Sequence, residues 1–205
     1  MTKSKLVSEE YKREMVAQYL APVLGFKAVG HNAAIDDLAR RTKLQFALKH
    51  QELESPGDKE TGCIWLSIGA MCHSYIFGDG MNYPHGTAIF KKRELIFNGN
   101  SLLHGAKRLD YIQTIEATEL LSISYPDVLE LMSKYDNVSV MIRSQTDQQA
   151  IDFRERNNFR NLSSIERVKR LRAENETFIK CANQEIQAMH AYMSLKHYGN
   201  IIRGL

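Results

Sequence analysis

Apolar residues recur along the chain with two different periods, and the change from one to the other divides it into three regions. Between Glu9 and Leu24, the residues Tyr11, Met15, Val16, Tyr19, Leu20 and Val23 fall three and four positions apart, the spacing of one helical face. Pro22 and Gly25 are placed to terminate that helix. A second, short helix is expected over 33–41, where Ala and Leu dominate and Asn32 can cap the start.

From Lys43 to Ser124 the period shortens. Leu44–Leu48, Cys63–Leu66, His73–Phe77 and Tyr111–Ile115 are short, rich in aromatic and β-branched residues, and often alternate, so they predict strands. Turn residues punctuate them at Ser55-Pro56-Gly57-Asp58, Gly62, Gly69, Gly78-Asp79-Gly80, 84–86 and Gly99. Many short strands at that spacing predict a compact barrel or sandwich.

After Ser124 the helical period returns. Pro126 and Asp127 suit a helix start, with Val128, Leu129, Leu131 and Met132 on its apolar face. A second helix over 138–161 carries Val138, Met141, Ile142 and Ile151 among polar residues. Burial against a second copy of the chain would explain that sparse stripe; packing on the chain's own β-region is the alternative. Ser163-Ser164-Ile165-Glu166 fits a capping box, in which a Ser oxygen and a Glu carboxylate satisfy free amides at a helix start, and a helix follows through Arg172. Another spans 184–193 and a last one follows Ser194-Leu195, so the chain closes with two helices across a very brief turn.

Composition narrows the picture. A chain of 205 residues, 43% hydrophobic and 25% charged, makes one large domain or two small ones without cross-links. No apolar run approaches the ~18 residues of a membrane span, so no membrane partner is expected. The basic start, Met1-Thr2-Lys3-Ser4-Lys5, leads into Glu9 and Glu10 rather than an apolar core, which predicts no secretory signal and a cytoplasmic location. Cys63, Cys72 and Cys181 form no CxxC pair and suit structural thiols, with no metal site. Of the 27 basic and 24 acidic residues, ten and five lie between Arg154 and Leu205, which concentrates positive charge in the last quarter. No GxSxG, GxxxxGK[ST] or HExxH is present, and no enzyme activity is expected.

The phrases Trp65-Leu66-Ser67-Ile68-Gly69-Ala70-Met71, Ile76-Phe77-Gly78-Asp79-Gly80, Ser101-Leu102-Leu103 and Thr118-Glu119-Leu120-Leu121-Ser122-Ile123-Ser124 occur in that order over the strand-rich region. Their order and spacing resemble the cyclic-nucleotide-binding β-roll of Crp/Fnr transcription regulators. Glu166-Arg167 and Ala191-Tyr192-Met193 are similar to phrases of that family's DNA-binding part. The resemblance covers nearly the whole chain. It implies an α+β fold: a double-stranded β-helix (jelly-roll-like) sensor domain with flanking helices at 1–136, a dimerisation helix at 137–161, and a small C-terminal helical (winged) helix-turn-helix domain at 162–205. It also implies double-stranded DNA and a second copy of the chain as partners, together with an unknown small-molecule effector.

In the family's nucleotide pocket an Arg binds the cyclic phosphate with its planar fork and a Glu holds the ribose. The corresponding segment here supplies Asn98, Gly99, Asn100, Ser101, Arg108 and Leu109. Arg108 falls on the phosphate-binding Arg, Gly99 on the ribose-binding Glu, and Leu109 on the Ser or Thr that follows the Arg. A pocket so altered predicts an effector other than cyclic AMP, or none. No cofactor is expected: three scattered cysteines do not hold a four-cysteine cluster, and His73, His85 and His104, the candidates for a haem axial ligand, are read as surface or packed histidines.

For DNA, the resemblance places Lys196, His197, Asn200 and Arg203 on the recognition helix, where Arg can bond guanine and Asn adenine. Arg167, Lys169, Arg170 and Arg172 would neutralise phosphates, or else form a solvated helix face. The family uses Gly in its turn where this chain has Ser194. The competing readings are a dimeric sensor or interaction module without operator binding, and a true cyclic-nucleotide receptor.

Overall fold

The computed structural model describes residues 8–27, 31–57, 62–77, 80 and 82–205; the basic start at 1–5 and the turn residues Asp58, Gly78 and Asp79 lie outside them. The first helical segment opens at α1 (Glu9–Met15), where the Ser8 hydroxyl accepts from the Tyr11 amide at 3.1 Å. It widens into a π-helical stretch over Val16–Leu20 and ends as α2 (Ala21–Val23). Pro22 therefore sits inside the helical segment rather than ending it. It occupies the first turn of α2, where a missing amide costs little, and Gly25, with φ of +82°, makes the turn out. In α3 (Asn32–Arg41), Asn32 is the first helical residue and not the cap; His31 precedes it without a side-chain cap bond.

Among the described residues eight strands follow: β1 (Lys43–Ala47), β2 (Glu52–Glu54), β3 (Cys63–Ser67), β4 (Cys72–Ile76), β5 (His85–Phe90), β6 (Leu95–Ile96), β7 (Tyr111–Thr114) and β8 (Thr118–Ser124), with the short helix α4 (Gly99–His104) before β7. They form two four-stranded sheets, ordered β1-β8-β3-β6 and β2-β7-β4-β5. All described pairings are antiparallel, with Ile64 opposite Ile123 and Trp65 opposite Ser122 at the centre of the first sheet. Two packed sheets agree with the barrel or sandwich that the strand pattern predicts, and with the roll that the resemblance implies.

The runs Ile64-Trp65-Leu66 and Leu120-Leu121 follow from burial on both faces. Ile64, Leu66, Leu121 and Ile123 face the flanking helices, where Leu20, Leu38 and Val128 complete a cluster. Trp65, Leu120, Cys72 and Ile112 fill the space between the sheets. A strand covered on both sides reads as a continuous apolar run, as β3 and β8 do.

The helix α5 (Tyr125–Lys134) starts directly from β8, capped by Ser124. It is followed by α6 (Asp136–Arg160), a helix of 25 residues. Val138 and Ile142 on α6 are fully buried in the chain's own helical cluster. The stripe assigned to a partner copy is thus split: its N-terminal half packs at home. Val140, Ile151 and Phe153 remain 64%, 48% and 67% exposed.

The C-terminal part is α7 (Ser164–Glu174), α8 (Glu176–Cys181), α9 (Gln184–His190) and α10 (Leu195–Arg203). The capping box at Ser163 and Glu166 forms with both reciprocal bonds, at 3.3 and 2.9 Å. Residues 162–205 contain no strand, so the expected wing is absent there; Asn175–Asn183 is taken up by the short α8, whose Phe178 is buried. Val168, Leu171, Phe178, Ile186, Met193 and Tyr198 form one cluster, closed from the roll by Met71 and Ile115. Among the described residues no helix is long and apolar enough to cross a membrane.

Candidate functional site

The roll contains a cavity of about 470 Å³ between β2, β3, α4 and the start of α5, walled by apolar groups of Leu53, Trp65, Leu102, Tyr125 and Leu129. Arg108 stands in its wall and is 6% exposed. Its Nε lies 2.7 Å from Glu54 Oε2, Nη1 3.5 Å from Asp110 Oδ1, and Nη2 donates to Tyr125 Oη at 3.4 Å. Burial opposes the charge on Arg108, but the two carboxylates outweigh it and hold its pKa above the ordinary value. The other Glu54 oxygen accepts from the Trp65 indole at 2.6 Å and the Cys63 amide at 2.8 Å.

That arrangement decides what the cavity can take. One guanidinium against two carboxylates leaves a net negative charge, and Glu54 occupies an acceptor position that a phosphate would need. An anion would have to displace a carboxylate held by two further donors, at a cost of several kcal/mol for the charges stranded. Glu54 and Tyr125 are cavity residues that the sequence did not single out, and Trp65 stood there only in a strand phrase. Glu54 lies in the polar run Glu52-Leu53-Glu54-Ser55, so nothing local marked it out.

Of the expected pocket residues, Ser101 and Arg108 line the cavity. The others do not. Asn98 caps α4, accepting from the Ser101 amide at 3.0 Å, Asn100 is exposed, and Leu109 is 76% exposed. Gly99 faces α6: its amide donates to Gln149 Oε1 at 3.0 Å, and a Cβ there would fall 2.4 Å from Thr146 Cγ2. No glutamate fits at that position, because α4 packs directly on α6.

The second candidate is the surface of α10. Ser194 caps the helix, accepting from the His197 amide at 3.2 Å. It is the last residue of the connection between α9 and α10 and is extended there, with φ of −66°. The left-handed conformation in the turn belongs to Tyr192, with φ of +55°. Tyr198 is fully buried and donates to Gln187 Oε1 at 2.6 Å, while the Gln187 amide reaches the carbonyls of Ile179 and Ala182, tying α10 to α9 and α8. With that side inward, Lys196, His197, Asn200 and Arg203 are all exposed. Their spacing of one, four and seven residues keeps them on one face. Arg203 Nη2 donates to Asn200 Oδ1 at 2.6 Å.

The basic residues of α7 separate by role. Arg167 directs its guanidinium at the carbonyls of Ala191 (2.9 Å), Leu162 (2.9 Å), Arg160 (3.2 Å) and Tyr192 (3.4 Å). Its donors are committed, so it clamps the α9–α10 turn to the end of α6 and is not free for a phosphate. Arg170 pairs with Glu174 at 2.7 Å. Lys169 and Arg172 are exposed.

The histidines named for a haem ligand divide similarly. His73 is buried with both nitrogens engaged, by Gln113 and His190, and His85 packs its ring against Tyr83 and Tyr192. His104 is exposed at the end of α4. Burial raises the Cys72 thiol to about 12 and, with Glu54 nearby, the Cys63 thiol to about 11. Both stay protonated at neutral pH, as structural thiols do.

No protein-family model matches the chain, and no curated protein sequence does. Solved structures do match. The cyclic-di-GMP-responsive global regulator CLP of Xanthomonas campestris superposes with a TM-score of 0.69 at 15% identity, over 84% of this chain and 90% of that one. A Crp/Fnr-family regulator from Eubacterium rectale gives 0.69 at 14%, over 84% and 82%. FixK2 of Bradyrhizobium japonicum gives 0.65 at 12%, over 80% and 84%. At these identities the likeness establishes the fold: antiparallel sheets with flanking helices, shared with Crp/Fnr-type regulators.

Proposed function

We propose that this protein is a DNA-binding transcription regulator of the Crp/Fnr type, acting as a homodimer on a two-fold-symmetric site and carrying a sensor cavity that no longer takes an anionic cyclic nucleotide. The observation that carries the reading is the exposed face of α10. It presents two cations, an amide and an imidazole, while Tyr198 and the Arg167 clamp hold the helix pair α9–α10 in place. An arginine can read guanine and an asparagine adenine in the major groove, and breaking the Arg203–Asn200 bond would free both. Lys169 is left for phosphates, with the exposed Arg172, which also bonds the Tyr198 side chain, beside it. Val140 and Ile151, eleven residues apart and so on one face of α6, supply the apolar surface on which a second copy would pack.

In the sensor, the Arg108–Glu54 pair supports an uncharged effector, or none, over cyclic AMP. Any effector acts only by binding one arrangement of the C-terminal helices better than another.

The reading is tested by fluorescence anisotropy on duplex DNA as a function of salt. The expected result is an affinity that falls steeply with salt, a slope smaller by about 1 in K169A, where one cation no longer neutralises a phosphate, and binding abolished in K196A/R203A. Salt-independent retention, or equal binding by K196A/R203A, would favour the interaction-module reading.

A further inference from the structure

Two histidines meet where the roll touches the C-terminal helices. His190 on α9 and His73 on β4 are both fully buried, and His190 Nε2 lies 3.3 Å from His73 Nδ1. His73 Nε2 lies 3.1 Å from Gln113 Oε1 on β7. The amide oxygen accepts only, so His73 carries its proton on Nε2, accepts at Nδ1, and receives the proton of His190 Nε2. That chain leaves His190 Nδ1 as a bare acceptor, and it has no partner. The chain needs His73 unprotonated at Nδ1, and a proton added to His190 enters at Nδ1, where it meets no acceptor. The contact is also tight: a Cβ on Gly86 would fall 2.4 Å from His190 Nδ1, and the ring packs edge-on against Phe178 at 5.0 Å.

We propose that the His73–His190 pair is a proton-operated latch, in which protonation of either ring parts the C-terminal helices from the roll and so couples the placement of α9–α10 to pH. The Gln113 acceptor favours an imidazolium at His73, but burial outweighs it. Arg156 on α6 and His50 in the β1–β2 turn oppose the added charge as well. Asp152, Glu155, Arg170 and Glu174, in the wall of the adjoining crevice, make no bond to either ring. Burial, first of all, holds His73 down at about 4 and His190 well below its ordinary value. The folded values lie below the unfolded 6.5, so the docking contribution is complete above pH 6.5 and is lost as pH falls towards 4. Between pH 7.5 and 5 the His73 shift alone multiplies the open fraction about thirtyfold. The docking step stands without DNA; its consequence for DNA rests on the regulator reading.

Hydrogen exchange of the full chain tests it, read as protection factors in β5 and α9 against β3 and β8. The expected result is a fall of at least about thirtyfold in β5 and α9 between pH 7.5 and 5, with β3 and β8 unchanged, and a fall of less than about threefold in H73Q/H190Q. An equal fall in that variant, no fall in the wild type, or loss of protection in all four elements together overturns the latch. Should the double variant fail to fold, G86A serves: the added methyl should expose β5 and α9 already at pH 7.5, and wild-type protection there overturns the latch. DNA affinity measured on the same samples separates the two readings, because a pH-dependent latch with no DNA binding at any pH contradicts the regulator alone.

Discussion

Arg108 has a clear position in sequence and a different task in the fold. Its pairing with Glu54 joins two distant stretches of the chain, across β2 and the approach to β7, and no periodicity reports such a pairing. R108M strands the Glu54 carboxylate, which is 9% exposed, and should cost about 3–5 kcal/mol by thermal or denaturant unfolding, whereas E54Q/R108M recovers most of it. Millimolar cyclic AMP should leave the melting temperature of the wild type unchanged, as calorimetry can check. Asp37 is a second residue whose role lies in distant partners. Its carboxylate is held well below the usual carboxylate range by the Lys134 bond, against the effect of burial, with Tyr135 and Arg41 adding to it. The folded value is depressed, so its contribution is present above about pH 3.8 and disappears as pH falls below it. D37N should lose about 1–3 kcal/mol near neutral pH, a range reduced for the half-exposed Lys134, and should flatten the acid limb of the stability curve. An acid limb identical to the wild type would rule this out.

At the scale of elements, the helices and strands were legible wherever a period runs for several residues: β1, β3, β4, β7, α5, α6 and the capping box of α7 fall within a few residues of expectation, whereas β2, β5 and β6 were not read. The misses have local causes. The α8 helix is six residues long, too short to display a period, and the end of α9 is set by the left-handed Tyr192, a conformation that a tyrosine gives no reason to expect. The partners that hold that turn are remote: the Arg167 clamp and Tyr83, whose hydroxyl donates to the Tyr192 carbonyl at 3.4 Å. R167K keeps the charge but not the planar fork, so it should weaken DNA binding while leaving the salt slope unchanged, and a reduced slope would instead mark Arg167 as a phosphate ligand. The sparse stripe of α6 was visible in sequence, but its division was not, because Val138 and Ile142 belong to the intramolecular cluster. V140E/I151E should therefore yield a folded monomer by analytical ultracentrifugation, with an unchanged melting profile at low concentration of the dissociated form; a dimer retained in that variant contradicts the role given to this face.

For the whole molecule, the order of short strand phrases was enough to anticipate the roll, since strands buried on both faces leave uninterrupted apolar runs. The packing of the C-terminal helices on that roll was not legible. It depends on Met71, Ile115 and His73 presenting one outer surface from three separate segments, and on Gly86 leaving room for His190. The expected wing failed for a related reason: the eight residues after Asn175 gain more by burying Phe178 beside His190 than an isolated pair of short strands would gain in water. The docked arrangement leaves the α10 face open to a duplex, which makes sequence-specific DNA recognition by a symmetric pair the central expectation. The direct measurement is selection from a pool of random duplex DNA by the purified protein at two salt concentrations, followed by sequencing of the retained molecules. Enrichment of a two-fold-symmetric site with half-sites about one helical turn apart is the predicted result; retention without enrichment, lost uniformly as salt is raised, would contradict it.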